Sequence, residues 1–128
     1  IDHIGLFVAD AAKRADFYEK LLAPLGYVKK AAYPTAVCFA NDEDGDGIWL
    51  ESPKDGNPVV PSHVAFRAKT ADAIKAFHEA GCGRGTDNGK PGPRPNYGPG
   101  YYAAFVHDPD GNNIEAVVDW AGWFENHR

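Results

Sequence analysis

The sequence predicts an α+β fold in which two tandem βαβββ modules form curled sheets around a concave cavity. Three observations support this fold class. The chain matches itself at an offset of about 60 residues, each copy starts with an alternating strand and an amphipathic helix, and each copy ends in a hairpin whose turn is rich in Asp and Gly. We expect one domain of 128 residues, with module one at about 1–55, module two at about 61–120 and a C-terminal arm over 120–128.

The internal repeat runs without gaps in two windows. At an offset of 60 residues, DHIGLFVAD aligns with SHVAFRAKT, so that His3 coincides with His63. At an offset of 66 residues, FANDEDGDGI aligns with FVHDPDGNNI, and Phe, Asp, Asp, Gly and Ile coincide. The change of offset places a net insertion of six residues in the second copy, where the run GCGRGTDNGKPGPRPNYGPG lies.

Each module is expected to begin with a strand and a helix. Asp10 and Thr70 stand where the helices start, and their side-chain oxygens are suited to N-caps. Gly26 and Gly81 are expected to end the helices as left-handed caps. The apolar positions with the periods of a strand and a helix are Ile4, Leu6, Val8, Phe17, Leu21 and Leu25 in module one, and Val64, Phe66, Ala68, Ile74 and Phe77 in module two.

Short extended runs follow each helix. They are YVKKAA, TAVCFA and GIWLES in module one, and YYAAFVH and NNIEAVVD in module two. The segments NDEDGDG and HDPDGNN join the last two strands of each module as turns, because Asp and Gly tolerate the backbone angles of tight turns. The Gly- and Pro-rich run is expected to be a loop, and WAGWFENHR a short helix or arm that packs its aromatic rings.

Composition excludes several classes of protein. The net charge of −5 and the scattered basic residues argue against a surface for nucleic acid or anionic membrane. No run of about 18 apolar residues exists, which excludes a membrane-spanning helix. Cys38 and Cys82 lie far apart and lack zinc-like spacing, so we expect reduced thiols. With a first segment that is typical of a strand rather than a signal peptide, the expected location is the cytoplasm.

Strand alternation places three residues that are suited to metal binding on one side of the sheets. His3 and His63 occupy the strand face opposite the apolar residues, and Glu115 occupies the corresponding face of the last strand. Two histidines and one carboxylate that converge from three strands form the facial arrangement that holds divalent ions with positions open to substrate. A structural role for all three would require burying an unpaired charge, which is costly.

The segments DHIGLFV, ADFYEKLLAPLGY, SHVAF and FVHDPDGNNIEAV resemble the vicinal oxygen chelate superfamily over nearly the whole chain. This superfamily includes glyoxalase I, fosfomycin-resistance thiol transferases, extradiol dioxygenases and bleomycin-resistance proteins. The resemblance implies paired βαβββ modules, usually in a homodimer, and a divalent ion (Zn, Ni, Co, Mn or Fe) on His3, His63 and Glu115. It also implies a small-molecule substrate and, in some members, a thiol co-substrate such as glutathione.

One position departs from glyoxalase I, which has a fourth ligand, a Glu, on the last strand of its first module. The internal alignment places Trp49 there, opposite Glu115. Glu51 lies two residues further on the same face and would serve as the ligand if a bulge shifted the strand. Otherwise Glu51 is a candidate general base, or a strand-end carboxylate in solvent.

Further candidates line the predicted cavity. Phe7 and Arg67 follow the two histidines on the same strand face, and Arg67 is suited either to a substrate anion or to a neighbouring acid. Tyr102 is expected to face inward, although core packing would explain it equally well. Arg94 and Tyr97 lie in the Gly- and Pro-rich run, which is suited to a lid or substrate wall. With Trp49, these residues form the predicted substrate site.

The function predicted from these residues is a metal-dependent glyoxalase-like enzyme. It would act on a small substrate with vicinal oxygens by lyase or isomerase chemistry, through a metal-stabilised enediolate. Three alternatives use the same cavity: a fosfomycin-type thiol transferase, a ring-cleaving dioxygenase and a metal-free antibiotic-binding resistance protein. A homodimer is expected because two modules alone leave sheet edges open.

Overall fold

The computed structural model describes residues 1–41, 45 and 47–118, which form two four-stranded sheets and two α-helices. The strands are β1 (His3–Phe7), β2 (Val28–Tyr33), β3 (Ala36–Ala40), β4 (Gly47–Glu51), β5 (His63–Ala68), β6 (Thr86–Pro93), β7 (Tyr102–His107) and β8 (Asn113–Val118), and the helices are α1 (Ala11–Leu22) and α2 (Ala71–Cys82). The predicted arm over 120–128 lies outside the described residues.

The two sheets have the same topology, with the orders β1-β4-β3-β2 and β5-β8-β7-β6. In each sheet the first and last strands of the module pair in parallel, and the other neighbours are antiparallel. The predicted fold class, two tandem βαβββ modules with curled sheets, is therefore confirmed. No helix of the described chain is long and apolar enough to cross a membrane.

Both predicted N-caps are present. The Asp10 carboxylate accepts the backbone N–H of Lys13 at 3.1 Å, and the Thr70 hydroxyl accepts that of Ala73 at 3.0 Å. Each cap satisfies a donor that the first helical turn cannot satisfy itself. These caps explain why both helices begin where the alternating strands end.

The two predicted glycine caps have different outcomes. Gly26, with φ of 87°, closes the short 3-10 turn Ala23–Leu25 that continues α1, as a left-handed cap. The prediction for Gly81 is wrong, because Gly81 lies buried inside α2 and the helix ends at Cys82. A β-carbon at Gly81 would come within 2.7 Å of a Val106 methyl group. Close approach between α2 and β7, rather than a backbone angle, therefore requires glycine here.

The Gly- and Pro-rich run contains a strand that the sequence analysis treated as loop. Thr86–Pro93 forms β6 and pairs with β7, with shifts of register between Asp87 and Gly89 and between Gly89 and Gly92. A strand with so many Gly and Pro residues lacks the alternation on which strand prediction depends. Pairing with β7 is what makes this segment a strand.

A buried polar network connects α1 and β1 of module one to the turn between β7 and β8 of module two. Asp108, at the start of the β7–β8 turn, is 3% exposed and accepts a 2.5 Å hydrogen bond from the Tyr18 hydroxyl on α1. The amide group of Asn112 donates to Asp108 at 2.9 Å and to the backbone carbonyl of Phe7 at 3.0 Å. Arg14 on α1 pairs with Asp110 of the same turn at 2.8 Å. The turn predicted as a simple hairpin connection therefore also fastens module two to module one.

Candidate functional site

A buried carboxylate and an exposed histidine meet on the outer face of module two. Glu115 lies opposite Ala65 in the β5–β8 register, on the face turned away from the helices, and is 3% exposed. The Nε2 atom of His63 lies 2.9 Å from Oε1 of Glu115. Because the His63 side chain is 52% exposed, solvent reaches the imidazole while the carboxylate is withheld from water.

Tyr101 holds the second oxygen of this carboxylate, and the sequence analysis missed it. The Tyr101 hydroxyl donates a short hydrogen bond to Oε2 of Glu115. Burial, followed by this hydrogen bond and the charge of Glu115, raises the pKa of the Tyr101 phenol well above its ordinary value. Phe105 lies opposite Glu115 in the β7–β8 register. Because every second residue of a strand lies on the same face, Tyr101 shares the face of Phe105, four residues further along. This alternation is the feature of the sequence that identifies Tyr101.

We expect the stability of the wild type to fall more steeply than that of a Tyr101→Phe variant as the pH rises above about 10. The unfolded chain releases the phenolic proton near that pH, whereas the folded state retains it because the pKa of Tyr101 is raised. The contribution is therefore complete below pH 10 and is lost above it. Urea unfolding at about pH 8 and about pH 10.5 measures the difference. Tyr18, whose pKa is also raised, is common to both proteins, so equal losses would contradict the prediction.

Aromatic and cationic side chains form a wall beside the pair. The ring of Phe105 lies 6.3 Å from that of His63, and the Arg94 guanidinium lies 5.5 Å above the Phe105 ring. Arg94 also donates to two backbone carbonyls of β6 at 2.8 Å each. Tyr97 contacts Tyr101 edge to face, with ring centroids 5.4 Å apart. Phe105 therefore lies between Arg94 and His63, and Tyr101 connects Tyr97 to Glu115.

The corresponding face of module one carries the other predicted residues. The Nδ1 atom of His3 lies 2.6 Å from the Asp2 carboxylate, and the His3 side chain is 50% exposed. Phe7 lies on the same face of β1 as His3 and Gly5, at the end of the strand, and is 49% exposed. A histidine and an aromatic ring of module one are therefore open to solvent.

Trp49, and not Glu51, occupies the position equivalent to Glu115. Trp49 lies opposite Gly5 in module one, just as Glu115 lies opposite Ala65 in module two. The β1–β4 and β3–β4 registers contain no shift, so β4 lacks the bulge that would bring Glu51 to this position. The indole stacks on Tyr33, with ring centroids 6.3 Å apart. A Glu51 carboxylate oxygen nevertheless lies over Gly5, in space that a β-carbon would fill.

The last two candidates lie on opposite faces of their sheet. Arg67 lies opposite Val117, on the same face as His63 and Glu115, as predicted. The inward orientation predicted for Tyr102 is wrong. Tyr102 lies opposite Val118 and packs against the hydrophobic core. Since successive residues of a strand point to opposite faces, Tyr101, and not Tyr102, reaches the face that carries Glu115.

Within one chain, the structure brings together His63 and Glu115 but not His3. Of the described residues, one group places three metal-binding side-chain atoms within 4.8 Å of one another, and it contains none of these three. A cavity of about 1000 Å³ between the modules is lined by Ile4, Tyr27 and Val64 among others, and it includes neither histidine nor Glu115. The predicted ligands therefore belong to two open sheet faces.

Solved structures share this fold. A glyoxalase/bleomycin resistance protein from Albidiferax ferrireducens T118 is 29% identical, with a TM-score of 0.79 over 93% of this chain and 98% of its own. A lactoylglutathione lyase from Agrobacterium tumefaciens is 20% identical, with a TM-score of 0.67 over 96% and 95%. A superfamily member from Sphaerobacter thermophilus DSM 20745 is 23% identical, with a TM-score of 0.63 over 93% and 96%.

No curated protein matches this chain. The family model of the glyoxalases matches residues 1–116, which include both sheets almost completely. The chain therefore belongs to the Glyoxalase/Bleomycin resistance protein/Dioxygenase superfamily.

Proposed function

We propose that this chain is a metal-dependent enzyme of glyoxalase type that acts on a small substrate with vicinal oxygens. The observation that carries the proposal is the contact between His63 and Glu115, in which a carboxylate 3% exposed lies 2.9 Å from a solvent-accessible imidazole. Membership of the superfamily supports the general class. Lyase chemistry is supported by the likeness in fold to the lactoylglutathione lyase from Agrobacterium tumefaciens.

The two donor atoms fit a divalent ion. Nitrogen and oxygen ligands that bind one ion at about 2.1 Å lie about 3.0–3.4 Å apart. The separation of 2.9 Å between Nε2 of His63 and Oε1 of Glu115 is close to that range, and the exposed imidazole has room to adjust. Imidazole and carboxylate together suit Zn, Ni, Co, Mn or Fe. His63 and Glu115 would hold the ion.

A second copy of the chain would complete the site. In the described part of the chain, β1 and β5 are edge strands of their sheets, and they carry His3 and His63. Both histidine side chains are about half exposed in the single chain. An edge strand presents unpaired backbone groups that a second chain can bind. In a two-fold dimer, the same contact between the two edge strands would form twice, once on each side of the symmetry axis. A homodimer that pairs β1 with the partner's β5 would add His3 to the two ligands of the other copy.

The residues around the pair have separate roles in this proposal. A bound divalent ion supplies Lewis-acid polarisation of the substrate oxygens. Tyr101 orients the Glu115 carboxylate, and Arg94 with Tyr97 binds the polar part of the substrate, such as the carboxylates of glutathione. The Glu51 carboxylate, over Gly5 on the face of module one, would move the substrate proton.

Metal content tests the proposal. We expect the wild type to bind close to one equivalent of Mn, Fe, Ni, Co or Zn at this site, and His63→Ala to bind the preferred ion at least about tenfold more weakly, because an imidazole ligand is lost. Elemental analysis and calorimetric titration measure both. His107→Ala, from β7 of the same sheet, is the matched control and should bind like the wild type. Equal binding by wild type and His63→Ala, or no binding by either, would refute the metal site.

A metal-free ligand-binding protein is the second candidate function. Three aromatic side chains favour it: the Trp49–Tyr33 stack, with an interplanar angle of 19°, and Phe7, 49% exposed, offer a surface for a flat ligand. Both oxygens of the Glu115 carboxylate also have a protein partner, Oε1 with His63 and Oε2 with Tyr101. Absence of metal binding in the wild type would make this candidate the better account.

A further inference from the structure

A histidine, a cysteine and an aspartate converge on the helix side of module two, away from the face that carries His63 and Glu115. His78 and Cys82 are four residues apart on α2, so they lie on one face of its last two turns. Asp87 is the second residue of β6 and lies opposite Val106, on the sheet face that packs against α2. The loop that connects α2 to β6 thus folds the carboxylate back over the helix.

The three donor atoms already lie near the positions that one ion requires. Sγ of Cys82 is 3.5 Å from Nε2 of His78, and this nitrogen is 2.8 Å from Oδ1 of Asp87. All three atoms lie within 4.8 Å of one another. In a tetrahedral zinc site, with Zn–S of about 2.3 Å and Zn–N of about 2.05 Å, sulfur and nitrogen lie about 3.5 Å apart. The distance between nitrogen and oxygen must widen by about 0.6 Å, which the half-exposed Asp87 permits.

We propose that His78, Cys82 and Asp87 form a second metal site, for a thiophilic divalent ion of the Zn²⁺ class. Thiolate, imidazole and carboxylate are the three protein ligand types of zinc, and a water molecule would take the fourth position. On binding, the Cys82 thiol releases its proton to solvent and its sulfur bonds to the ion. The site is chemically distinct from the His63–Glu115 pair, because it contains sulfur.

Hydrogen bonds from His78 and from the Gly89 backbone position the Asp87 carboxylate in the cluster. The hydrogen bond from His78, followed by that from the Gly89 backbone at 2.9 Å, lowers the pKa of Asp87, so this carboxylate is a charged ligand at neutral pH. Burial and then the charge of Asp87 raise the pKa of the Cys82 thiol, opposite to the change that activates a nucleophilic cysteine, so an ion must displace the thiol proton in order to bind. His78, with a side chain 16% exposed, is held between the two.

An ion at this site would connect α2 to the base of the strand that leads to the substrate wall. β6 begins at Thr86 and continues to Pro93, directly before Arg94. Its pairing with β7 is irregular on both sides of Gly89. Cross-linking Asp87 to two side chains of α2 would therefore stabilise the least regular strand of module two.

Cobalt titration tests the proposal, because a thiolate bound to Co²⁺ produces an intense near-ultraviolet charge-transfer band that nitrogen and oxygen ligands do not. We expect the band at one equivalent in the wild type, kept reduced with a phosphine, and its loss when Zn²⁺ displaces the cobalt. Cys82→Ser should abolish the band, and His78→Gln should weaken cobalt binding at least about tenfold. Cys38→Ala is the matched control, since Cys38 is the other cysteine and lies buried in β3.

The Glu115→Gln variant separates this site from the proposed active site, because it should keep the thiolate–cobalt band. A band that persists in Cys82→Ser, or one that disappears in Cys38→Ala or in Glu115→Gln, would overturn the proposal. Absence of the band in the wild type would also overturn it. Circular dichroism of each variant confirms that it is folded, and His78→Gln provides the same test through a second residue.

Discussion

A Glu115→Gln variant is expected to lose at least about 100-fold in turnover and at least about tenfold in affinity for the divalent ion, while keeping its fold. The substitution keeps the shape of the side chain but removes its charge. In the wild type both carboxylate oxygens are engaged, with His63 and with Tyr101. An amide has one oxygen in place of two and binds divalent ions weakly, so the metal and the orientation of the site are lost together.

The measurement is kcat for the best substrate from a panel of small molecules with vicinal oxygens, each offered with and without glutathione, beside calorimetry with the preferred ion. Glu79→Gln, the same change on the exposed surface of α2, should behave like the wild type in both assays. Metal affinity and turnover that remain within a factor of two in Glu115→Gln would contradict the assignment. A loss of secondary structure in Glu115→Gln would instead identify the carboxylate as structural.

An Asp108→Ala variant is expected to lower the free energy of unfolding by about 3 kcal/mol. Asp108 accepts from the Tyr18 hydroxyl at 2.5 Å, from the Asn112 side chain at 2.9 Å and from the Asn112 backbone N–H at 2.8 Å. Removing the carboxylate leaves the buried donors of Tyr18 and Asn112 unsatisfied, and each such donor costs about 1–3 kcal/mol. The loss should also loosen the junction between the modules, since Tyr18 belongs to α1.

Urea unfolding with matched controls measures this effect. Asp108→Asn retains a hydrogen-bond acceptor in the same space and should lose less stability than Asp108→Ala. Asp16→Ala removes a carboxylate that is 50% exposed and pairs with Lys20 and Arg84, and we expect a loss below about 1 kcal/mol. Equal losses in Asp108→Ala and Asp16→Ala would show that the buried network contributes nothing beyond a surface pair.

Structure that depends on near neighbours in the chain could be predicted from the sequence. Alternation along β1 and β5 predicted that Leu6 and Phe66 face the core, and both are buried. Asp10 and Thr70 were predicted as caps because a cap acts three residues along the chain. The internal repeat extended these predictions from one module to the other, since equal patterns fold into equal units.

Predictions failed where a residue's place depends on a partner strand or helix. Gly81 was interpreted as a helix end, but it lies inside α2 because Val106 approaches closely. β6 was interpreted as loop, because its glycines and prolines hide a strand that only the pairing with β7 reveals. Tyr102 was chosen instead of Tyr101, because the face of a strand changes with every residue and the pairing that places Phe105 opposite Glu115 is not visible in the sequence.

The sequence by itself determined the fold class, the two-fold repetition and the faces on which His63, Glu115, Arg67 and Trp49 lie, because the periods of strands and helices are local properties. The tertiary structure alone decided which side chains touch. It brought Tyr101 to Glu115, Asp87 to the His78–Cys82 pair, and Asp108 to Tyr18, which is 90 residues away in the chain. Such contacts depend on the register of paired strands and on how helices pack, and no local pattern of residue types encodes either of these.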